Sequence, residues 1–354
     1  MKITTAYISR RFLGYFALTL LAFTGLVLGL DLLENSPDVI ASDGESTRAL
    51  FRYSLLRLPS LISTLIAIAT LLAALLTIEA LQRHRELLAL WSIGLSPWRI
   101  MAALLPAGGL LLAVQFVVDD QLVPAASAEL RAWGVGPSAR QAVAPSEEDA
   151  VWLLSDNHVL RVPAVAERLD VLHDLTVFRR DAGGNILDRL DAGTARQEDG
   201  GWILYDVIRR SVDDVRPEVI AELPWPHPIR LDVIAMLSVD PQELPLSVIR
   251  LIIASDGFGR FSTDLYRASF HYRLANPLSP LIMLFLAIGL ARTEDIRRGP
   301  GLFLLSGLAL GFGYFIYDGV LLAVAEAGWL PGWLAIWSPK IVMTCLISVL
   351  VLRT

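Results

Sequence analysis

The most regular feature of this sequence is a series of long apolar runs without charge. Five runs are long enough to cross about 30 Å of hydrocarbon as α-helices, and they cover residues 12–30, 58–78, 100–118, 274–291 and 300–317. A sixth run, residues 329–352, carries one charge at Lys340, so five spans is the competing count. The pattern predicts an α-helical integral membrane protein with six transmembrane (TM) helices. On the fifth run, Gly307, Gly311 and Gly313 predict a face for close helix approach.

Between the third and fourth runs, the pattern changes to short alternating segments. Three pairs of segments flank turns rich in Asp, Asn and Gly: residues 151–154 with 158–162, 175–180 with 186–190, and 194–197 with 202–207. These pairs predict successive β-hairpins, and they are compatible with a β-sandwich, a jelly roll or a meander. The proline-rich residues 217–228 predict an extended connector, and residues 246–254 and 262–272 predict helices.

These changes of pattern divide the chain into three parts. Residues 1–129 hold TM helices 1–3 with an intervening loop helix at 83–94. Residues 130–245 form an inserted all-β domain, and residues 246–354 hold connecting helices and TM helices 4–6.

Basic residues in short loops predict the orientation of the spans, because positively charged loops stay in the cytoplasm. With the N-terminus inside, ten basic residues fall on the cytoplasmic side: Lys2, Arg10, Arg11, Arg83, Arg85, Arg99, Arg292, Arg297, Arg298 and Arg353. The short outer loops hold only Arg48, Arg52 and Arg57, diluted by acidic residues. We therefore expect both termini in the cytoplasm and the inserted domain in the periplasm.

Composition and motifs argue against several classes of function. The net charge is −6 and no basic stripe is visible, so we expect no nucleic-acid partner. Neither lysine, Lys2 or Lys340, follows a glycine, which excludes the Gly-Lys-[Ser/Thr] of an ATP-binding P-loop. One cysteine and five scattered histidines argue against a metal site. An intramembrane Ser/His dyad of a protease stays an alternative, because spacing alone does not exclude it.

The most informative stretch is the loop between the second and third runs. Leu87, Leu90, Trp91 and Gly94 recur at helical spacing, which predicts a short amphipathic helix that ends at the glycine. A helix of this kind, with a bulky Trp on one face, fits a groove on a motor protein. A linker helix resting on the bilayer surface is the competing interpretation, and the residue pattern alone does not separate the two.

Several motifs resemble those of the LptF/LptG family of lipopolysaccharide export permeases. Arg-Glu-Leu-Leu at 85–88, followed by Ser-Ile-Gly at 92–94, is similar to the Glu-led, Gly-ended coupling helix of that family. Residues 187–207 are similar to its periplasmic jelly roll, residues 237–244 to the exit from it, and residues 272–280 to the mouth of span four. The resemblance covers essentially the whole chain and is closer to the LptG branch. One departure is that residues 26–30 are uncharged, where LptG-like proteins often carry a basic residue, so no lipid contact is carried over to span one.

The resemblance implies a non-catalytic permease subunit of an ABC-type lipopolysaccharide export complex in the bacterial inner membrane, with a jelly-roll-like periplasmic domain. The implied partners are a second LptF/LptG-type permease, a cytoplasmic LptB-type ATPase dimer and an LptC-type single-span periplasmic protein. ATP and Mg would be bound by the ATPase, so this chain would need no cofactor of its own. Lipopolysaccharide would enter laterally from the outer leaflet of the membrane. The implied ATPase-coupling residues are Arg83, Arg85, Glu86, Leu87, Leu90, Trp91 and Gly94.

A lipid with phosphates at the interface and acyl chains below requires a basic rim over an apolar cavity. The candidates for lipid contact are Arg52, Arg57, Arg273 and Lys340, which all lie at or near the outer ends of spans. Lys340 lies up to about 16 Å inside the outer face, and a lysine at such depth usually faces a cavity or a partner. Snorkelling to the interface or pairing with Asp318 are the alternatives for Lys340.

Two other classes compete with this interpretation. Another ABC permease with a periplasmic insert, such as a lipoprotein extractor or an efflux pump subunit, usually places the insert between spans one and two of four. A motor-free, membrane-anchored periplasmic binding or assembly protein would leave the apolar face of Leu87, Leu90 and Trp91 without a function.

Overall fold

The structure is a computed structural model, and it describes residues 2–43, 46–83, 97–137, 150–155, 158–163, 171–181, 185–198, 201–212, 216–226, 239–254, 263–293 and 300–352. The chain divides into two compact units. The membrane unit comprises Met1–Gly136 and Arg267–Thr354, and the strand unit comprises Pro137–Tyr266.

The described α-helices are α1 (Lys2–Asp43), α2 (Ser46–Arg83), α3 (Pro97–Val117), α4 (Val123–Trp133), α5 (Leu246–Ala254), α6 (Thr263–Ala275), α7 (Ser279–Thr293), α8 (Pro300–Glu326) and α9 (Gly332–Leu352). A π-helical turn, Val118–Leu122, joins α3 to α4. A 3₁₀ turn, Asn276–Leu278, joins α6 to α7, and another, Pro241–Glu243, precedes α5.

Within the described residues, six helical stretches are long and apolar enough to cross a membrane. They are Ala6–Ser42, Thr47–Arg83, Leu104–Trp133, Thr263–Ala291, Gly301–Glu326 and Gly332–Leu352. The prediction of six spans is confirmed over the competing count of five. The helices exceed the apolar runs because their polar ends continue the same hydrogen-bonded ladder. Helix α1, with 42 residues, is about twice as long as the hydrocarbon is thick.

Helix α2 lies at the centre of the membrane unit and packs closely against α8. Leu71 and Leu75 on α2 are buried. A Cβ atom at Gly307 would lie 2.6 Å from Leu75, and one at Gly311 would overlap Leu71. A Cβ atom at Gly313 would meet nothing within 4 Å. The predicted close approach is therefore present at two of the three glycines, and Gly313 takes no part in it.

The described strands form one antiparallel sheet with the order β1-β2-β3-β4-β5-β6. The strands are β1 (Ala150–Ser155), β2 (His158–Pro163), β3 (Val171–Arg180), β4 (Ile186–Glu198), β5 (Gly201–Ser211) and β6 (Glu218–Trp225). The three predicted hairpins are present as β1–β2, β3–β4 and β4–β5, and the last two share the unbroken strand β4. Strand β6 occupies most of the region predicted to be an extended connector, which is a correction: the segment pairs with β5 along its length.

The secondary structure described between residues 150 and 226 consists of β-strands, as predicted, but these strands have the sequential order of a meander. A jelly roll has crossed connections, so that strands distant in sequence become neighbours. Here the longest connection between described strands, from Pro163 to Val171, leaves seven residues between them, and each strand pairs with the next one along the chain. Short connections between antiparallel strands favour this arrangement.

One face of the sheet is apolar. On β5, the buried residues Trp202, Leu204 and Val207 alternate with more exposed residues on the opposite face. The alternation skips one position at Asp206, which has a positive φ of 53°. Asp206 lies opposite Gly193, and the register is the same on both sides of this position, so no residue is inserted and the irregularity is a local change of backbone conformation.

Candidate functional site

The four residues predicted to contact lipid lie in the membrane unit, near one end of its helices. Arg52 and Arg57 are near the start of α2, Arg273 is on α6, and Lys340 is on the first half of α9. Because successive spans alternate in direction, these positions belong to the same end of the helices. Each of the four side chains contacts an acidic residue or a carbonyl group of the same unit.

Arg57 joins α2 to α1. Its Nε donates a hydrogen bond of 3.0 Å to Asp31 Oδ1, and the hydroxyl of Tyr53 donates one of 2.6 Å to Asp31 Oδ2. The side chains of Arg57 and Asp31 are 18% and 11% exposed. This partly buried pair ties the outer ends of the first two spans together.

Arg52 forms the most accessible contact of the four cations. Its Nη2 lies 2.9 Å from Glu129 Oε1 on α4, and the two side chains are 47% and 50% exposed. The guanidinium also lies over the ring of Trp133, 4.6 Å from the ring centroid. Exposed pairs of this kind contribute little stability, so Arg52 can exchange partners at low cost.

Arg273 is buried and donates a hydrogen bond to the main chain. Its Nη1 donates to the carbonyl oxygen of Asp119, within the π-helical turn. The carboxylate of Asp119, also buried, accepts hydrogen bonds from Ser63 (2.5 Å), Gln115 (2.9 and 3.0 Å) and Asn276 (2.8 Å). This polar cluster joins α2, α3 and the α6–α7 junction inside the membrane unit.

Lys340 forms a buried ion pair with Asp318 on α8. Only 3% of the lysine side chain is exposed, and its Nζ lies 5.9 and 5.7 Å from the ring centroids of Tyr272 and Tyr314. Pairing with Asp318 was one of the alternatives that the sequence left open. The lysine charge is therefore satisfied within the chain.

An apolar cavity of about 500 Å³ lies between α1 and α2. Its lining comes from both helices: Phe16, Ala17, Leu20, Leu21, Thr24, Gly25, Leu28, Leu58 and Ile62. Leu28 and Leu58 lie beside the Asp31–Arg57 pair in the sequence, so the cavity reaches toward that polar contact. This part of the unit combines an apolar space with the Arg57–Asp31 ion pair near one end, and lipid contact by Arg57 stays a prediction.

Most of the predicted ATPase-coupling residues lie outside the part of the chain that the structure describes. Arg83 is the last residue of α2 and is exposed. Arg85, Glu86, Leu87, Leu90, Trp91 and Gly94 lie outside the described residues. The docking role of this loop stays a prediction from the sequence.

The strand unit has a charged cluster beside its apolar face. Asp188 is 2% exposed and accepts hydrogen bonds from Arg179 Nε (2.5 Å) and Arg209 Nε (3.0 Å) on the neighbouring strands. The hydrogen bonds from Arg179, assisted by its charge, lower the pKa of Asp188 and raise the pKa of Arg179. The three residues hold strands β3, β4 and β5 in register.

Apart from Asp318, the sequence did not identify the acidic partners of the candidate cations. Their signal is positional: Asp31 and Asp119 each follow directly after an apolar run. An acidic residue at such a depth needs a partner, and the basic residues near the ends of neighbouring spans are the natural choice.

Comparison with known proteins identifies the family of this chain. The family model described as "Lipopolysaccharide export system permease LptF/LptG" matches residues 6–353. The lipopolysaccharide export system permease protein LptG of Haemophilus influenzae is 20% identical over 324 residues, which is 89% of this chain and 88% of the relative. The six apolar helices and this match indicate a multi-pass inner-membrane protein. The chain therefore belongs to the LptF/LptG family of lipopolysaccharide export system permeases.

Proposed function

We propose that this chain is a permease subunit that extracts lipopolysaccharide from the outer leaflet of the inner membrane and passes it to a periplasmic bridge, powered by a separate ATPase. The observation that carries the proposal is the family match over residues 6–353, which includes both the membrane helices and the inserted sheet. Transport of a lipid out of a membrane needs a part that admits the lipid and a part that receives it.

In this proposal, both termini are cytoplasmic and the strand unit is periplasmic. The support is the set of ten basic residues on the inner side, against three in the short outer loops. The chain enters the strand unit after α4 and leaves it before α7. Under this topology, both connections are at the periplasmic ends of spans.

Lipid phosphates would first meet Arg52 and Arg57. Arg52 is the most exposed of the four cations, and a phosphate can replace Glu129 as its partner because phosphate accepts strong, charge-assisted hydrogen bonds from arginine. Arg57 is less exposed, at 18%. Arg273 and Lys340 are buried with their partners, so they could contact lipid only after the helices rearrange.

Acyl chains would need apolar surfaces along the route. The cavity between α1 and α2 offers one inside the membrane unit. The apolar face of the sheet, with Trp202, Leu204 and Val207, would offer another after a rearrangement, because these residues are buried. Burial of hydrocarbon is favourable by about 0.8 kcal/mol for each CH₂ group. A lipid leaving the bilayer needs such compensation for its acyl chains.

The motor would be an LptB-type ATPase dimer that docks on residues 86–94, beside a second LptF/LptG-type permease and an LptC-type single-span protein. The sequence lacks the Gly-Lys-[Ser/Thr] of a P-loop, so in this proposal the ATP is hydrolysed by another chain. Purification of the protein from its host in detergent, followed by identification of the co-purifying chains and bound lipid, tests this assembly. Recovery without an ATPase would favour the motor-free alternative.

Photo-crosslinking in cells tests the lipid route directly. The photoreactive amino acid p-benzoylphenylalanine replaces Trp202 on the apolar face or Tyr205 on the opposite face of the same strand. Both positions are aromatic in the native chain, so the substitutions are matched in size. We expect lipopolysaccharide crosslinks from position 202 and none from position 205. Crosslinks to protein alone from both positions, or equal lipid crosslinks from both, would contradict the assigned face.

A further inference from the structure

The π-helical turn between α3 and α4 is a break in an otherwise continuous helix. At Val118–Leu122, the N–H of Val123 bonds to the carbonyl of Val118, five residues earlier, instead of four. A turn of this kind holds one residue more than an α-helical turn, and such turns are frequent at functional sites. The orientation of α4 relative to α3 therefore depends on whether this turn is π or α.

Pro124 leaves one carbonyl without a main-chain donor in either register. In the observed π register, the partner of the Asp119 carbonyl would be the residue five positions later, which is Pro124 and has no N–H. In an all-α register, the N–H of Val123 would donate to the carbonyl of Asp119. The carbonyl of Asp120 would then lack a donor, because the residue four positions later is Pro124. Pro124 thus removes one main-chain donor in either register, so the proline by itself favours neither.

The side chain of Arg273 supplies the donor that the π register lacks. Its guanidinium binds the orphaned carbonyl of Asp119, while Ser63 and Asn276 hold the carboxylate of the same residue. The cluster also has an unfavourable contribution to its free energy, because the buried Oε1 atom of Gln115 has no hydrogen-bond partner. The π register is therefore held by side chains from other helices, and chiefly by α6.

We propose that Val118–Leu122 is a register switch, in which α4 turns relative to α3 when Arg273 leaves the Asp119 carbonyl. The change from π to α register rotates α4 by about 100° and shifts it by about 1.5 Å along its axis, the values for one residue of helix. Glu129 and Trp133 then move away from Arg52. A displacement of α6 is thereby converted into a rotation of α4, the other helix that adjoins the strand unit in sequence. This inference goes beyond the proposed function and stands without it.

Cysteine crosslinking in native membranes reports the orientation of α4. In a Cys345→Ala background, Arg52→Cys and Glu129→Cys place two thiols where the ion pair joins α2 to α4 in the π register. Adding Arg273→Gln removes a charged hydrogen bond, and we expect the crosslinking yield to fall about tenfold. A second thiol pair, Asp31→Cys with Arg57→Cys, joins α1 to α2 away from the turn and should keep its yield.

A reference chain separates a register change from general damage. Deletion of Leu122 together with Pro124→Ala gives an unbroken α-helix with α4 in its present orientation, because residue 124 then follows Asp119 by four positions and has an N–H. In this chain, Arg273→Gln should leave the 52–129 crosslink unchanged. An equal loss of crosslinking in the reference and native-length chains, or no loss in the native-length chain, would overturn the switch.

Discussion

Lys340 on α9 and Asp318 on α8 form an ion pair within the membrane unit, with side chains only 3% and 12% exposed. A charge without a partner at this depth is costly, and Lys340 lies too far from solvent to be hydrated as an isolated lysine. The pair therefore fixes the contact between the last two spans. It also means that a change at Lys340 alone alters the environment of Asp318.

We predict that Lys340→Met destabilises the protein by about 3–5 kcal/mol, because Asp318 then stays buried without its partner. The double variant Lys340→Met with Asp318→Leu should recover most of this loss, because apolar replacement of both members of a buried pair is often neutral. Thermal unfolding of the detergent-purified variants measures both effects. If the single and double variants lose equal stability, the pair is not the reason for the effect.

Arg52 should act in lipid contact rather than in stability. We predict that Arg52→Glu lowers lipopolysaccharide-stimulated ATP hydrolysis by the assembled complex, because a carboxylate repels lipid phosphates, while the melting temperature changes little. The matched variant is Glu129→Gln, which frees Arg52 from its partner and should keep or raise the stimulation. Loss of stimulation in both variants would assign the pair to packing between α2 and α4.

Asp188 gives the strand unit a predictable response to acid. Its pKa is lower in the folded protein than its ordinary value of about 3.9, so the folded state binds fewer protons than the unfolded state. The stabilisation is complete above the ordinary pKa and is lost as the pH falls through the lower folded value. Hydrogen exchange of β3–β5 should show increased opening in this range, below about pH 4.

The variant Asp188→Asn tests the source of that response. It keeps the shape of the side chain and removes the charge that Arg179 and Arg209 contact. We predict a loss of about 1–3 kcal/mol in the strand unit at neutral pH, together with a weaker dependence of exchange on pH. An unchanged acid response would mean that other carboxyl groups carry it.

The close contact between α8 and α2 predicts opposite results at two glycines. Gly311→Ala places a Cβ atom against Leu71, and we expect a loss of about 1–3 kcal/mol from overpacking. Gly313→Ala meets nothing within 4 Å, so it should be neutral or stabilising by up to about 1 kcal/mol through helix propensity. Thermal unfolding of the two variants in the same detergent provides the comparison.

The fold could be predicted from the sequence wherever periodicity and turn chemistry act locally. The six apolar runs gave six spanning helices, and the turns near residues 156, 183 and 200 gave three hairpins. The order of strands was not predictable, because three hairpins are compatible with several topologies. Strand β6 was missed because its prolines suggested an extended segment without pairing, although Pro224 pairs in the register with Ile203.

The candidate cations were chosen from the sequence, but their environments could not be predicted from it. Basic residues near the ends of spans are visible in the sequence, whereas burial and partners depend on how helices distant in sequence pack together. Arg273 and Asp119 are separated by 154 positions. The π-helical turn that leaves the Asp119 carbonyl without a main-chain donor depends on the hydrogen-bond register of the helix, which composition does not predict. The role of the loop helix at residues 86–94 is an inference from apolar spacing and family resemblance, and it stays a prediction.

The central claim is that this chain is a permease driven by an ATPase that docks on the loop helix. Trp91 is at the centre of its predicted apolar face, and full burial of one large apolar side chain contributes about 1.5–3 kcal/mol. Trp91→Asp should therefore release the ATPase without unfolding the membrane unit. Ser92→Asp is the matched control, because it adds the same charge one position away, on another face of the helix.

The measurement that tests this claim most directly is co-purification of the complex from cells that express each variant, with the membrane level of the chain checked in parallel. The account predicts that Ser92→Asp retains the ATPase and its lipopolysaccharide-stimulated hydrolysis, whereas Trp91→Asp loses both at an unchanged membrane level. Retention of the ATPase at wild-type stoichiometry by Trp91→Asp, with lipid-coupled hydrolysis intact, would contradict the account and make this helix an interfacial linker.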